Sequence, residues 1–552
     1  MKNLHSIRAP LFLPCCAALA AFLAYVQTIG YGFTLDDRHL VTLNSQLSSW
    51  HDLRHYITEA HVWQEGYAAF FRPMVYLSLM LNHLLSGDNP WSYHLFNVLA
   101  HVIATLLVYA LARSIAARIG EETVPRAWWP FIAALIFAIH PVHTEAVANV
   151  AGRADVMMTC WVLGGVLLAA RAYRGSVLAA AGLCLCAFCA ALTKETGFLL
   201  MPLVLVWDWS CNRYDTVAWG LRLRTWAFGA LGTLFAGAMY ISAKAPVAAP
   251  SSPAFLDNFA AHVPLATRLC TGLFLVGKSV ALVCLPYPLS SDYSYAQIIP
   301  VATLLSPLTA VGIVVVIGML AWSWRLPPTP GRKVGELGTL WFLVAYVPSA
   351  NIIFPIGTIF GERLLYLASV GFCLVAGYGV AWLWASAERP MRQVVLPLVL
   401  AALVATAWTI TRNTEWRDQG AVRRAMLRTA PRSAKAHFSA AREWAGMGRP
   451  REALDAVRTA LAIYQLYPEA HALHSAILIH LHDYTNAWKA AGLAVGLNSH
   501  VAEAHYYLGL IAQQWGRTNE MARHFATAKQ LRPQMFGASQ TLDVRRETQS
   551  HD

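Results

Sequence analysis

The sequence predicts an all-α chain in two parts: a polytopic membrane half of about eleven transmembrane helices and a C-terminal solenoid of helical repeats. Three observations lead there. Hydrophobic residues fill 57% of the 552 positions and charged residues only 13%, about half the ~25% charged share of soluble globular proteins. Long apolar runs recur as far as residue 411, the mark of membrane-spanning helices. Beyond residue 413 they stop and a 34-residue period takes over, the mark of stacked helical units.

The runs place spans near 10–29, 93–112, 128–140, 155–171, 177–192, 196–209, 225–243, 301–323, 338–355, 363–386 and 393–411. The segments 128–140 and 196–209 fall short of the roughly 20 residues that cross a bilayer, so they are expected to be tilted, broken or shielded. Basic residues set the orientation: Arg113, Arg118 and Arg126; Arg171 and Arg174; Arg213, Arg222 and Arg224; Arg325, Arg332 and Lys333; Arg389 and Arg392. All of these loops are cytoplasmic together if loop 30–92 lies outside and the chain crosses eleven times. That count treats 267–286, which carries Arg268 and Lys278, as a re-entrant or interfacial helix, and it puts the C-terminal domain outside. Lys2, His5 and Arg8 before an apolar run look like a signal peptide, but no small-x-small site precedes the polar loop; a retained first span is expected.

The net charge of +12 is assigned to these cytoplasmic flanks and a basic C-terminal domain, and no nucleic-acid partner is expected. Nearly all ten cysteines sit in apolar runs, where Cys behaves as a small hydrophobe; neither a disulfide framework nor a metal cluster is indicated. Domain bounds follow: 1–412 for the membrane half with its outer loop 30–92, 413–433 as a linker, 434–535 for three repeats, and 536–552 as a polar tail. Aligned from Ala434, Pro468 and Ala502, the repeats carry small residues at position 8 (Ala441, Ser475, Gly509) and position 27 (Ala460, Ala494, Ala528). That pattern is the tetratricopeptide signature, and a solenoid of this kind offers a concave docking face.

Candidate chemistry gathers in the outer loops. Asp36 and Asp37 follow the first span directly, and carboxylates so close to a bilayer are costly without a role; an ordinary helix cap would use one of them. Around them the loop holds His39, Arg54, His55, Glu59, His61, Trp63, Glu65 and Tyr67, then Arg72. His140, His143 and Glu145 join two spans and form either a hydrogen-bonding network or, less favoured, a zinc site. Arg153 and Asp155 follow and are candidates to pair. Lys194 and Glu195 lie between two short spans and either pair or act. Asp292 belongs to the aromatic loop 289–295 with Tyr287, Tyr293 and Tyr295, and Glu362 and Arg363 open a late span. Arg363 at a helix start opposes the helix dipole and should face an anion. A phosphate-linked sugar on a lipid calls for this mixture: cations for the departing phosphate, a carboxylate for the proton of the attacking hydroxyl, aromatics and His for the sugar.

These stretches together resemble the transmembrane and tetratricopeptide-repeat O-mannosyltransferases, within the GT-C superfamily of lipid-phosphosugar-dependent glycosyltransferases. The matching segments are Thr34-Leu35-Asp36-Asp37, Phe71-Arg72-Pro73, His94 through His101, Phe137 through Asp155, Lys194-Glu195-Thr196-Gly197, Leu289 through Tyr295, Asn351 through Ser369 and Arg412 through Asp418. The resemblance implies a GT-C type fold and an inverting transfer of mannose from a polyprenyl-phosphate carrier to Ser or Thr hydroxyls of a protein or peptide, with Asp36 or Asp37 as base and no cofactor required. The short repeat array looks like that of a bacterial relative, which implies an inner-membrane location with catalytic loops and repeats on the periplasmic side. Two alternatives stay open: a glycosyltransferase acting on a lipid or glycan, and a transporter of polyprenyl-linked sugars with a docking domain.

Overall fold

The computed structural model describes residues 9–42, 44, 47, 53–59, 70–119, 128–212, 217–245, 253–325 and 329–533. Among them the regular structure is helical throughout, with no strand. The chain divides into two compact units. The first comprises Met1–Ala254, Asn258–Leu289 and Pro300–Val422; the second comprises Phe255–Asp257, Ser290–Ile299 and Arg423–Asp552.

The first unit is an integral membrane body. Seven of its helices are long and apolar enough to cross a bilayer, and the bent pair Trp128–Ile139 with Pro141–Ala148 makes an eighth. The bend, 49°, falls at His140-Pro141, where a proline cannot continue the helix; of the tilted, broken or shielded forms expected for 128–140, the structure shows a continuous helix over Trp128–Ile139 that breaks at its end. Val177–Thr193 and Pro307–Gly318 are shorter apolar helices.

Helix-end contacts sort into two groups. At one end, Arg118 reaches Ala170 O, Arg222 pairs with Asp208, Arg224 reaches Ala172 O, Trp209 donates to Glu336 and Trp128 packs on Trp384. At the other, Asn413 donates to Ala24 O, Thr409 to Ile139 O, Arg72 pairs with Glu195 and Arg363 with Glu145. By length and hydropathy the described residues thus hold seven candidate spans, or eight with the bent pair, against the eleven expected; Leu200–Asn212 and Pro330–Tyr346, placed as spans from the sequence, are helices of 13 and 17 residues.

Leu265–Cys284 has the length and hydropathy of a span, yet its contacts keep it at the second end. Asn258, just before it, bonds Asn351 and Ile356 O; Gly272 abuts Ile352; Lys278 lies over the Phe360 ring; Val283 O accepts from His140. Its start, middle and finish thus all touch groups of that end. Pro73–Ser86 does the same, pinned by Arg72 at its start and by the Asn82–Ser92 bond near its finish, with Leu81, Leu84 and Leu85 exposed.

The second unit holds three helical hairpins that begin at Ala434, Pro468 and Ala502. Ser433 caps the first helix through Ala436 N–H, and Asp483 caps a later one through Asn486 N–H, each satisfying a backbone donor with no intrahelical partner. Ala441, Ser475 and Gly509 are buried, as are Ala460, Ala494 and Ala528, so the small-residue positions are packing positions. The segment 413–433, expected as a linker, is helical over Gln419–Thr429, and the boundary between the units falls within that helix. The loop Ser290–Ile299 also belongs to this unit: Tyr295 N–H donates to Leu256 O, Ala434 N–H to Tyr295 O, and Ser294 bonds Ser433.

Candidate active site

The loop after the first span sets the site. Thr34 donates from its backbone and hydroxyl to the Asp37 carboxylate at 3.1 and 3.4 Å, and Ala151 N–H donates to the same carboxylate at 2.7 Å. Asp37 is fully buried, whereas Asp36 beside it is exposed. Burial pushes the Asp37 carboxyl up to about 7 against the pull of those two N–H donors, and Asp36 adds to the rise.

Gly152 brings Ala151 to Asp37. A side chain there would put a Cβ 2.4 Å from Ala146 O, so only glycine lets the turn Val150–Gly152 fold back on Thr144–Ala148. The same fold-back turns Arg153 inward. Its guanidinium donates to Ser78 at 3.1 Å, Asn82 at 2.8 Å and Tyr93 O at 3.0 Å, and the residue has no exposed surface. Arg153 therefore ties the Pro73–Ser86 helix to the start of Trp91–Ile119. It does not pair with Asp155 and does not face the cluster described next.

Three cation–carboxylate pairs form that cluster. Lys194 Nζ meets Asp155 at 2.6 Å, Arg72 meets Glu195 at 2.8 Å, and Arg363 approaches Glu145 through its Nε at 3.5 Å and its backbone N–H at 3.0 Å. Lys194 and Glu195, adjacent in sequence, thus pair with different partners. The turn Glu195–Leu199 sends them apart, and Gly197 permits it, because a Cβ there would stand 2.1 Å from Ala190 O.

The pairs feel one another. Burial, Arg72 and Arg363 push the Lys194 ammonium down while Asp155 holds it up. Burial opposes the Arg363 charge, but Glu145, Asp36, Asp155 and Asp37 overcome it and raise its pKa. Burial also raises the Glu195 carboxyl, and Arg72 more than offsets that, so Glu195 ends below its ordinary value. Among the described residues Asp36 makes no side-chain hydrogen bond; it is the carboxylate of this neighbourhood without a partner of its own.

A frame of polar contacts holds the cluster from behind. His140 donates to Val283 O at 2.9 Å and accepts from Val142 N–H; His143 bonds Phe137 O at 2.9 Å and Ser369 at 2.8 Å. All four ring nitrogens are used, so the hydrogen-bonding alternative describes these histidines. Among the described residues no three His, Cys, Asp or Glu side chains stand as a metal-ligand group. Glu362 is fully buried against Arg412 at 3.1 Å, and Arg412 also bonds Glu415.

With this geometry in place, similarity to known proteins becomes informative. The chain is 26% identical to protein O-mannosyl-transferase TMTC1 of Mus musculus over 84% of its own length, and 27% identical to its counterpart of Drosophila melanogaster over 83%. It is 26% identical to protein O-mannosyl-transferase TMTC2 of Homo sapiens over 80%. This chain is similar in sequence to proteins named protein O-mannosyl-transferases. It spans 60–62% of the length of these relatives. No family model matches it. Among solved structures, the Archaeoglobus fulgidus oligosaccharyltransferase tethered with an acceptor peptide aligns over 73% of this chain and 55% of that one, with TM-score 0.43 and 13% identity. ArnT from Cupriavidus metallidurans bound to undecaprenyl phosphate aligns over 89% and 76%, with TM-score 0.37 and 15% identity.

Of the residues singled out in the sequence, Asp36, Arg72, Glu145, Asp155, Lys194, Glu195 and Arg363 come together, with Asp37 directly beneath. His140, His143, Arg153 and Glu362 are buried and bonded to protein groups outside these three pairs. Asp292 lies in the other unit, where its carboxylate accepts from Ser294 N–H and hydroxyl; it serves a loop turn. His61, Trp63, Glu65 and Tyr67 fall outside the described residues. Sequence reasoning missed Ser78 and Asn82 as partners of Arg153, and Gln419, whose side-chain oxygen accepts Leu35 N–H at 3.0 Å. No charge or motif spacing announces these; only contacts between segments distant in the chain do.

Proposed function

We propose that the chain is a polyprenyl-phosphate-sugar-dependent glycosyltransferase that transfers mannose to Ser or Thr hydroxyls of proteins; its relatives are named protein O-mannosyl-transferases. The observation that carries this is an exposed Asp36, with no side-chain partner among the described residues, in the loop next to the pairs Arg363–Glu145, Lys194–Asp155 and Arg72–Glu195. The acceptor hydroxyl oxygen attacks the anomeric carbon of the sugar. Its proton passes to Asp36, the bond from the anomeric carbon to the phosphate oxygen breaks with inversion, and polyprenyl phosphate departs with the electron pair. Arg363, Lys194 and Arg72 stabilise the growing negative charge. Their carboxylate partners hold them in place before the donor arrives, so little reorganisation is needed.

The basic residues Arg118, Arg171, Arg174, Arg222, Arg224 and Arg332 gather at the opposite end of the helices, which supports an exoplasmic site by the positive-inside rule. The helical hairpins of the second unit are read as a tetratricopeptide docking domain for the acceptor, and the membrane as an inner membrane with the site on its periplasmic face. A covalent intermediate and a bound metal have no part in this reading.

The test is transfer of radiolabelled mannose from synthetic mannosyl-phosphoundecaprenol to a Ser/Thr-rich peptide by the purified full chain. Asp36→Asn is expected to lower kcat by about 100-fold or more, the scale of losing a general base, with an unchanged melting temperature. Full activity in that variant would remove Asp36 from the chemistry, and no transfer by the wild-type chain would remove the activity itself.

A further inference from the structure

Leu35 has φ +45°. A branched aliphatic residue enters that left-handed region only when its surroundings impose it. Three contacts impose it here. On the C-terminal side, Thr34 and Asp37 are joined through the carboxylate. On the N-terminal side, Gly32 N–H donates to Arg417 O at 2.9 Å. At the residue itself, Leu35 N–H donates to the Gln419 side-chain oxygen at 3.0 Å.

The segment that reaches across is itself fixed. Trp416 is buried, Asn413 donates to Ala24 O at 2.9 Å, and Asp418 caps the following helix through Ala421 N–H at 2.8 Å. Gln419 opens that helix, Gln419–Thr429, so its side chain projects from a rigid base. The left-handed turn at Leu35 has one direct consequence. It places Asp37 in the protein and leaves the adjacent Asp36 exposed.

We propose that Gln419 is a positioning residue for the transfer reaction: by accepting the Leu35 N–H it holds the turn that presents Asp36 to the acceptor. The proposal rests on the reading of Asp36 as base. It gives the Arg412–Asp418 stretch a purpose beyond connection, as the strap that sets the loop after the first span.

The experiment uses the full chain in nanodiscs with mannosyl-phosphoundecaprenol and a Ser/Thr-rich peptide. Gln419→Leu keeps the side chain's bulk and removes the acceptor; Gln419→Glu keeps an acceptor oxygen at similar reach. Gln419→Leu is expected to lower kcat about tenfold or more, the scale of a misplaced reacting group, with donor KM unchanged, while Gln419→Glu stays within about threefold. Amide hydrogen exchange at residues 34–37 should accelerate in Gln419→Leu and not in Gln419→Glu.

The proposal is overturned if Gln419→Leu keeps wild-type kcat, if kcat falls without faster exchange at Leu35, or if Gln419→Glu falls as far as Gln419→Leu. Should Gln419→Leu fail to fold, a Leu35 amide that exchanges freely in the wild type overturns it, and a protected one that loses protection in Gln419→Ala supports it. Asp36→Asn runs alongside. Retained transfer there sinks the reading of the base and the proposal with it, whereas lost transfer there with an unaffected Gln419→Leu sinks the proposal alone.

Discussion

At the scale of single residues, Asp36 and Asp37 diverge. Two identical side chains, adjacent in the chain, meet opposite solvents: one exposed, one buried with two backbone donors on its oxygens. The buried one has a measurable signature. Its folded pKa of about 7 lies above the ordinary 3.8, so at intermediate pH the folded chain keeps a proton that the unfolded chain has released. The stability it contributes is full below the unfolded value and is lost as pH rises through about 7. Asp37→Asn removes that dependence. Measured by denaturant midpoint at pH 4 to 8, in steps of about one unit, the wild type should lose stability relative to the variant as pH rises. A constant difference across the range would show that Asp37 keeps its charge throughout. The two acids were legible in the sequence as a pair, but their division of labour was not, since it depends on Ala151, far along the chain.

At the scale of elements, the hairpins of the second unit show how a repeat tolerates variation. The turns between paired helices place Gly448, His482 and Gly516 at equivalent positions with φ +69°, +63° and +70°. The first and third use glycine; the middle repeat strains a histidine into the same conformation. His482→Gly is expected to stabilise the chain by about 1 kcal/mol, the relief of a left-handed non-glycine residue less the entropy that glycine adds to the unfolded state. Chemical denaturation of the second unit's transition measures it, and a loss of stability would mean that the His482–Tyr484 contact at 3.3 Å outweighs the strain. Packing is matched across positions in the same way. Gly509 faces Phe525, whose ring would lie 2.6 Å from a Cβ, while the preceding repeats pair Ala441 with Val457 and Ser475 with Ala491 at those positions. The period and the small residues were legible in the sequence because every repeat must fill the same space. The loop Ser290–Ile299 was not, because it joins that unit through contacts with Leu256 and Ser433 rather than through any repeat of its own.

At the scale of the whole first unit, polar contacts fix which helix ends lie together. Gly32 with Arg417, and Asn413 with Ala24, bring the finishes of the first and last spans to one end. The number of crossings from the first span through the last is therefore odd, a result independent of the hydropathy of any single segment. The eleven crossings expected from the sequence are an odd number, as are the seven helices of spanning length among the described residues. Cysteine labelling in sealed membrane vesicles tests this. In a background with the native cysteines replaced, His39→Cys should react with a membrane-impermeant maleimide from the face opposite to Arg174→Cys, both residues being exposed. Reaction from the same face would overturn the arrangement. The apolar helices and the basic loops were readable in the sequence, since both obey the bilayer.

By itself the sequence determined the composition-driven features: a helical membrane body, a repeat period, the positions of the charged loops and the residue types a phosphosugar transferase needs. These follow from local rules, because bilayer thickness, helix period and side-chain chemistry act on short stretches of chain. Tertiary structure alone decided which of those charges meet. It sent Lys194 to Asp155 and Glu195 to Arg72, buried Arg153 among Ser78, Asn82 and Tyr93, and gave Leu35 its partner in Gln419. Such pairings are made across dozens to hundreds of residues by packed helices, and a buried charge or N–H accepts whichever partner the packing brings within reach.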